Sequence, residues 1–354
     1  MSNRRSFMKN ATTASLSLAM PHIPFEILHK STILSDEIIG HGAFQYRIER
    51  AWSDLNPDDH PVNSCHEMVM DRRRRMIMLT NHAKNNIIMY DQSGKYLDSW
   101  TLDFPGGHGL TIHDEGGEEY LYITDPGLGK VVKCTLEGKL VMELDHPAAI
   151  GAYEAHAPFK PTETAIGPNG DIYVADGYGA QFVLQFDAKG NFIRKFGGDS
   201  FLQPTKFKQV HGVALDTRDA KNPTLLCSAR IKNAFKRFTL DGELLETYYL
   251  PGAFISRPVI HGDELYSGVC FGMEKNNYNM LMNRGFVTIL NKENQVVSNP
   301  GGTKPNYEDG VLQLMLQEKP IFKHCHDVCI DQDKNLYVCQ WNAGGVYPYK
   351  LHRV

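Results

Sequence analysis

His108-Gly-Leu-Thr-Ile-His113, Tyr120-Leu-Tyr-Ile-Thr-Asp125, Lys130-Val-Val-Lys-Cys-Thr135 and Lys139-Leu-Val-Met-Glu-Leu144 are four short runs separated by only a few residues each. In each, apolar side chains alternate with polar ones or crowd together, the pattern of a strand buried on one or both faces. Asp114-Glu115-Gly116-Gly117 and Glu137-Gly138 supply turns. Glycine reaches the positive φ angles that tight hairpins need. The spacing therefore predicts four antiparallel strands in succession, each lying beside the last.

The same syntax recurs along the chain. Thr162-Glu-Thr-Ala-Ile, Ile172-Tyr-Val-Ala-Asp176, Val183-Leu-Gln-Phe-Asp187 and Asn191-Phe-Ile-Arg-Lys-Phe196 form a second copy. Others begin at His66-Glu-Met-Val-Met-Asp71, His211-Gly-Val-Ala-Leu-Asp216 and His326-Asp-Val-Cys-Ile-Asp331, with a degenerate one near Pro258-Val-Ile. Starts at 66, 108, 162, 211, 258 and 326 are spaced by 42, 54, 49, 47 and 68 residues. Those intervals lie near the roughly 40–50 residues of one propeller blade. The expected architecture is an all-β, six-bladed β-propeller over residues 40–354. The longest interval leaves room for an insertion at 291–319. The last copy ends after a third strand, and Phe44-Gln-Tyr-Arg-Ile-Glu-Arg50 has no copy of its own. It is expected to supply the missing outer strand, closing the ring and removing an exposed edge.

Composition excludes some functions. A net charge of −4 gives nucleic acid no electrostatic footing. No apolar run in the domain approaches the roughly 18 residues of a membrane span. Asn3-Arg4-Arg5-Ser6-Phe7-Met8-Lys9 followed by the apolar stretch 11–20 resembles a twin-arginine export signal. Residues 1–35 are accordingly read as signal and linker, and the protein as periplasmic or otherwise extracytoplasmic. Seven cysteines, an odd number, leave at least one unpaired, and Cys325, Cys329 and Cys339 fall in strands as small core residues.

The first inner-strand position is histidine in four copies: His66, His108, His211 and His326. A propeller gathers equivalent positions around its axis. His108, His211 and His326 belong to alternate blades, and three converging imidazoles match a zinc site with an open coordination position. Copper, iron and cobalt also accept imidazole. His66 breaks the alternation; support of a ligand and contact with substrate are both open to it. His82, His113 and His324 are off register, and surface exposure is expected of them.

These residues, with Pro161-Thr162-Glu-Thr-Ala165 and Asp176-Gly177-Tyr178, resemble peptidyl-α-hydroxyglycine α-amidating lyase, a family among the NHL-repeat propellers. The resemblance runs from about residue 60 onward. It implies zinc on His108, His211 and His326, Tyr178 as catalytic base, and Arg230 as the contact for a substrate carboxylate. It implies structural calcium at Asp327, with backbone carbonyls completing the set. The reaction implied is cleavage of the C–N bond of a hydroxylated amide or peptide into an amide and glyoxylate. Two departures stand out. The family's first-blade arginine is replaced by Leu79-Thr-Asn-His-Ala-Lys84, leaving His82 or Lys84 as possible channel contacts without the arginine's planar fork. Gly179 stands where the family has a cysteine. A non-catalytic propeller that binds a peptide, glycan or protein is the alternative class; a calcium-dependent lactonase is disfavoured by histidines at the register positions.

Overall fold

The computed structural model describes residues 34–354; the twin-arginine motif and its apolar stretch lie outside the described residues. The repeats form six sheets of four or more strands, with one additional two-stranded ribbon. In the second blade the pairing follows chain order, from Leu110–Glu115 through Glu118–Asp125 and Lys130–Thr135 to Leu140–Glu143. Blades one, three and four repeat that meander. No helix among the described residues is long and apolar enough to cross a membrane.

Burial explains why the strands read as they do. Met76-Ile-Met-Leu-Thr80, the second strand of blade one, is buried throughout because neighbouring blades cover both its faces. Outer strands such as Leu140–Glu143 are largely exposed. The apolar clusters lie between successive sheets. One joins Ile77 and Leu79 of blade one to Leu121 and Ile123 of blade two, and another joins Val174 and Leu184 of blade three to Tyr122 and Val131 of blade two. Stability is thus built from contacts between neighbouring blades. All seven cysteines are buried free thiols, Cys325, Cys329 and Cys339 among them.

Closure follows the expected route. Phe44–Glu49 pairs antiparallel with Tyr349–Arg353, and Ile38–His41 adds a fifth strand outside it. The insertion is present as the loop around the ribbon Tyr307–Glu308 and Val311–Leu312.

The fifth blade departs from the pattern. Its inner strand is split into Phe254–Ile255 and Val259–His261, with Ser256, Arg257 and Pro258 between them. Proline has no N–H for a ladder, so the break falls there. The residue in register with the histidines is Ser256, whose N–H bonds Gly268 O at 2.8 Å as His108 N–H bonds Thr124 O at 2.9 Å. The copy therefore starts two residues earlier than expected. Its second strand, Glu264–Glu274, overshoots and turns back as Asn277–Leu281, a hairpin the sequence reading did not anticipate.

Trp52 packs at the seam between first and last blades, its ring centroid 5.0 Å from those of Tyr90 and Tyr337. It is fully buried. Trp52→Ala should lower unfolding free energy by about 3–5 kcal/mol, read by denaturant titration; a loss under about 1 kcal/mol would show that this seam does not hold the ring.

Candidate metal centre

At three blades the ladder is irregular where the histidine sits: between Cys65 and Glu67, Val210 and Val213, and Cys325 and Asp327. Such bulges re-aim a side chain out of the regular alternation. Four imidazoles meet on the axis. His108 and His326, with ring centroids 4.7 Å apart, form a central pair. His66 flanks it at 4.9 and 4.8 Å, and His211 at 4.8 and 5.0 Å. Ligand atoms of His66, His108 and His326 all lie within 4.8 Å of one another. His66 thus takes the place in this closest-set trio where His211 was expected, while the His211 ring stands beside it.

Backbone carbonyls select the tautomers. His108 Nδ1 lies 2.8 Å from Thr162 O, and His326 Nδ1 lies 3.0 Å from His66 O. A carbonyl only accepts, so each Nδ1 carries the proton and each Nε2 presents a lone pair. His326 Nε2 is buried without a hydrogen-bond partner, as are His66 Nδ1 and His211 Nδ1. Buried nitrogens left unpaired are costly, and neutral imidazoles with inward lone pairs are the donors a zinc-like dication takes. The residues present fit such an ion.

Tyr178 comes from the turn after the second strand of blade three. Asp176 shapes that turn, accepting from Lys160 N at 2.7 Å, Ala180 N at 2.6 Å and Tyr153 Oη at 2.8 Å. Burial pushes its carboxyl up to about 6 in spite of these bonds. A Cβ on Gly177 would lie 2.2 Å from Val210 O, so glycine lets the turn press against the strand that carries His211. Gln181 ties the two together, donating to Gly177 O and accepting from Val210 N. The Tyr178 hydroxyl ends 3.1 Å from His108 Nε2 and 3.0 Å from His211 Nε2. The residue as a whole is 36% exposed, but desolvation of its hydroxyl end raises its pKa, while the Arg230 guanidinium pulls the other way.

Arg230 is buried, its Nε donating to Ile255 O and one Nη to Ser256 Oγ, both at 2.9 Å. It stands 5.8 Å over the Phe271 ring. Lys84 is exposed and His82 half-buried, and the Lys84 backbone N–H donates to His82 Nδ1. His324, expected at the surface, is fully buried. Its Nε2 accepts from Asn283 N and its Nδ1 donates to Trp341 O, and its ring sits among Phe271 and Trp341. Sequence register could not reveal it, because it precedes the histidine column by two positions.

One step below the imidazoles lies a charged layer that the sequence reading missed apart from Asp327. Arg257 there meets Asp327, Glu67 and Glu163. Burial pushes the Glu67 carboxyl well above the usual range against the pull of Arg257. The signal was available for Glu67 and Glu163, which directly follow His66 and Thr162 as Asp327 follows His326; Arg257 follows Ser256, whose register the split strand obscures.

Burial, above all, depresses all four imidazoles, His66 to about 3. Each is then neutral when folded while its unfolded counterpart titrates near 6.5. Their contribution to stability is complete above that pH and is lost as pH falls below it. In metal-free protein, NMR should show none of the four titrating between pH 8 and 5. A midpoint near 6.5 at any of them would contradict the enclosure.

No protein-family model matches the chain. A probable peptidyl-α-hydroxyglycine α-amidating lyase of Caenorhabditis elegans is 33% identical over 178 residues, 50% of this chain and 47% of that protein. Peptidyl-α-hydroxyglycine α-amidating lyase 1 of Drosophila melanogaster is 24% identical over 347 residues, 91% of this chain and 56% of the relative. The chain spans about half the length of these relatives. Among solved structures, a streptogramin B lyase superposes with a TM-score of 0.56 at 16% identity, covering 88% of this chain and 99% of that one; this shows the fold alone. The chain is thus a six-bladed β-propeller whose sequence is similar to the peptidyl-α-hydroxyglycine α-amidating lyases.

Proposed function

We propose that this chain is an exported, zinc-dependent carbon–nitrogen lyase acting on a small α-hydroxylated amide or on a peptide ending in α-hydroxyglycine. The observation that carries the reading is the Tyr178 hydroxyl, held between His108 Nε2 and His211 Nε2, with a buried arginine beside it. The similarity to amidating lyases supports the same reaction class.

His108 and His326, with His211 or His66 as third donor, would hold the ion. Bound there, it supplies Lewis-acid activation of the substrate hydroxyl. The remaining chemistry falls to side chains. Anchoring of Nε and one Nη of Arg230 directs the rest of its guanidinium toward Tyr178, where it pairs with the substrate carboxylate. Tyr178, as the phenolate, takes the hydroxyl proton as the C–N bond breaks, and passes that same proton to the departing amide nitrogen. The carbinol carbon becomes the aldehyde of glyoxylate, so atoms and charge balance. An ordinary phenol is already protonated near neutral pH, so Tyr178 works as a base only when nearby positive charge favours its phenolate.

Purified protein should contain stoichiometric metal and release glyoxylate from an α-hydroxyglycine peptide. Protein lacking both would point instead to a binding propeller. Tyr178→Phe should retain the metal and lose about 10²–10⁴-fold in kcat; full activity would remove Tyr178 from the proton path. Arg230→Lys keeps the charge without the fork, so KM for carboxylate substrates should rise about tenfold or more. An equal rise with a substrate amidated at that carboxylate would show that Arg230 does not read it.

A further inference from the structure

Beneath the imidazole layer, the six inner strands contribute Glu67, Gly109, Glu163, Gly212, Arg257 and Asp327, each following its blade's first position. The Arg257 guanidinium lies in the middle, making four hydrogen bonds and two further ion-pair contacts. Nε donates to Asp327 Oδ1 at 2.8 Å and Nη2 to Asp327 Oδ2 at 2.9 Å. Nη2 also reaches Met68 O at 3.1 Å. Nη1 donates to Leu110 O at 2.7 Å and faces Glu67 Oε2 at 3.2 Å, with Glu163 Oε2 at 3.8 Å. Four of the five donors a guanidinium possesses are thus hydrogen-bonded, and the fifth points among carboxylates. The acceptors come from blades one, two and six, with Glu163 of blade three close by. Blade four contributes by absence: a Cβ on Gly212 would lie 2.4 Å from Arg257 Cα. All six blades meet at this one residue.

Carboxylate oxygens and inward-facing carbonyls are what a hard divalent cation seeks, and calcium takes about six to eight such oxygens. The resemblance implied calcium at Asp327. Both oxygens of that carboxylate, and the carbonyls of Met68 and Leu110, are instead held by Arg257. The residues here do not fit a calcium ion, because a side chain already stands in its place.

We propose that Arg257 is the built-in cation of the propeller axis, occupying the position of a structural calcium and freeing the ring from any need for one. The inference is independent of the lyase reading, since it concerns a layer below the imidazoles and is read by stability and calcium binding.

Thermal unfolding of the full chain in chelator, with calcium or zinc then added back, tests it. Wild type should show no stabilisation by millimolar calcium and should carry none after purification; stoichiometric calcium, or recovery of Tm by calcium, overturns the proposal. Arg257→Ala strands three buried carboxylates, so Tm should fall by roughly 5–15 °C in chelator. It should rise again with calcium, which binds one per chain by calorimetry. Unchanged stability in this variant, or stability lost without calcium binding, overturns the proposal. Should Arg257→Ala not accumulate, Arg257→Lys keeps the charge without the fork. It should fold with a lower Tm than wild type, and a wild-type Tm would rule out the guanidinium's role.

Discussion

The inner strand of every blade is an edge strand, and the whole channel follows from that constraint. Its outward N–H and C=O groups face the axis, where no further strand can pair with them, and burial leaves little water to do so. The chain answers with side chains from other blades. Asp327 accepts from Met68 N, and Glu67 accepts from Leu110 N. Imidazole N–H groups satisfy Thr162 O and His66 O, and Arg257 satisfies Met68 O and Leu110 O. The polar layers are therefore the completion of the β-structure as much as they are a reactive site. Substituting one of these residues disturbs the junction of two blades as well as the chemistry between them.

That origin accounts for the properties of the site. A carbonyl that fixes one ring nitrogen as donor leaves the other as a lone pair on the axis, and enclosure keeps the ring neutral. Tyr178 is added from above by a turn whose shape rests on a single carboxylate, Asp176, rather than on regular pairing. Strand register thus sets the imidazoles, while local hydrogen bonds set the tyrosine. The two are joined by Gln181.

Much of this was legible because a repeat multiplies its own signal. The alternation in one blade is weak, but its recurrence with a histidine at the same step made both the architecture and the His108, His211, His326 column readable. Legibility failed where the repeat was interrupted. Pro258 splits the inner strand of blade five, hiding the register of Ser256 and with it Arg257. The strand beginning Glu264-Leu-Tyr-Ser-Gly268 was legible, but its continuation to Glu274 and return as Asn277–Leu281 have no counterpart in the other copies to signal them. His324 is buried by aromatic neighbours from other segments, Phe271 and Trp341, which spacing along the chain cannot reveal.

The closing strand bears on the order in which the molecule becomes whole. Tyr46 pairs with Arg353 and Glu49 with Lys350, so almost the entire chain must exist before the last sheet is complete. His326 belongs to that same sheet, and its bond to His66 O crosses the seam between last blade and first. Imidazoles from both sides of the seam therefore come together only as the circle shuts. An ion held by His326 together with His108 or His66 would rivet the final joint of the ring, so that filling the centre and locking the circle become one event.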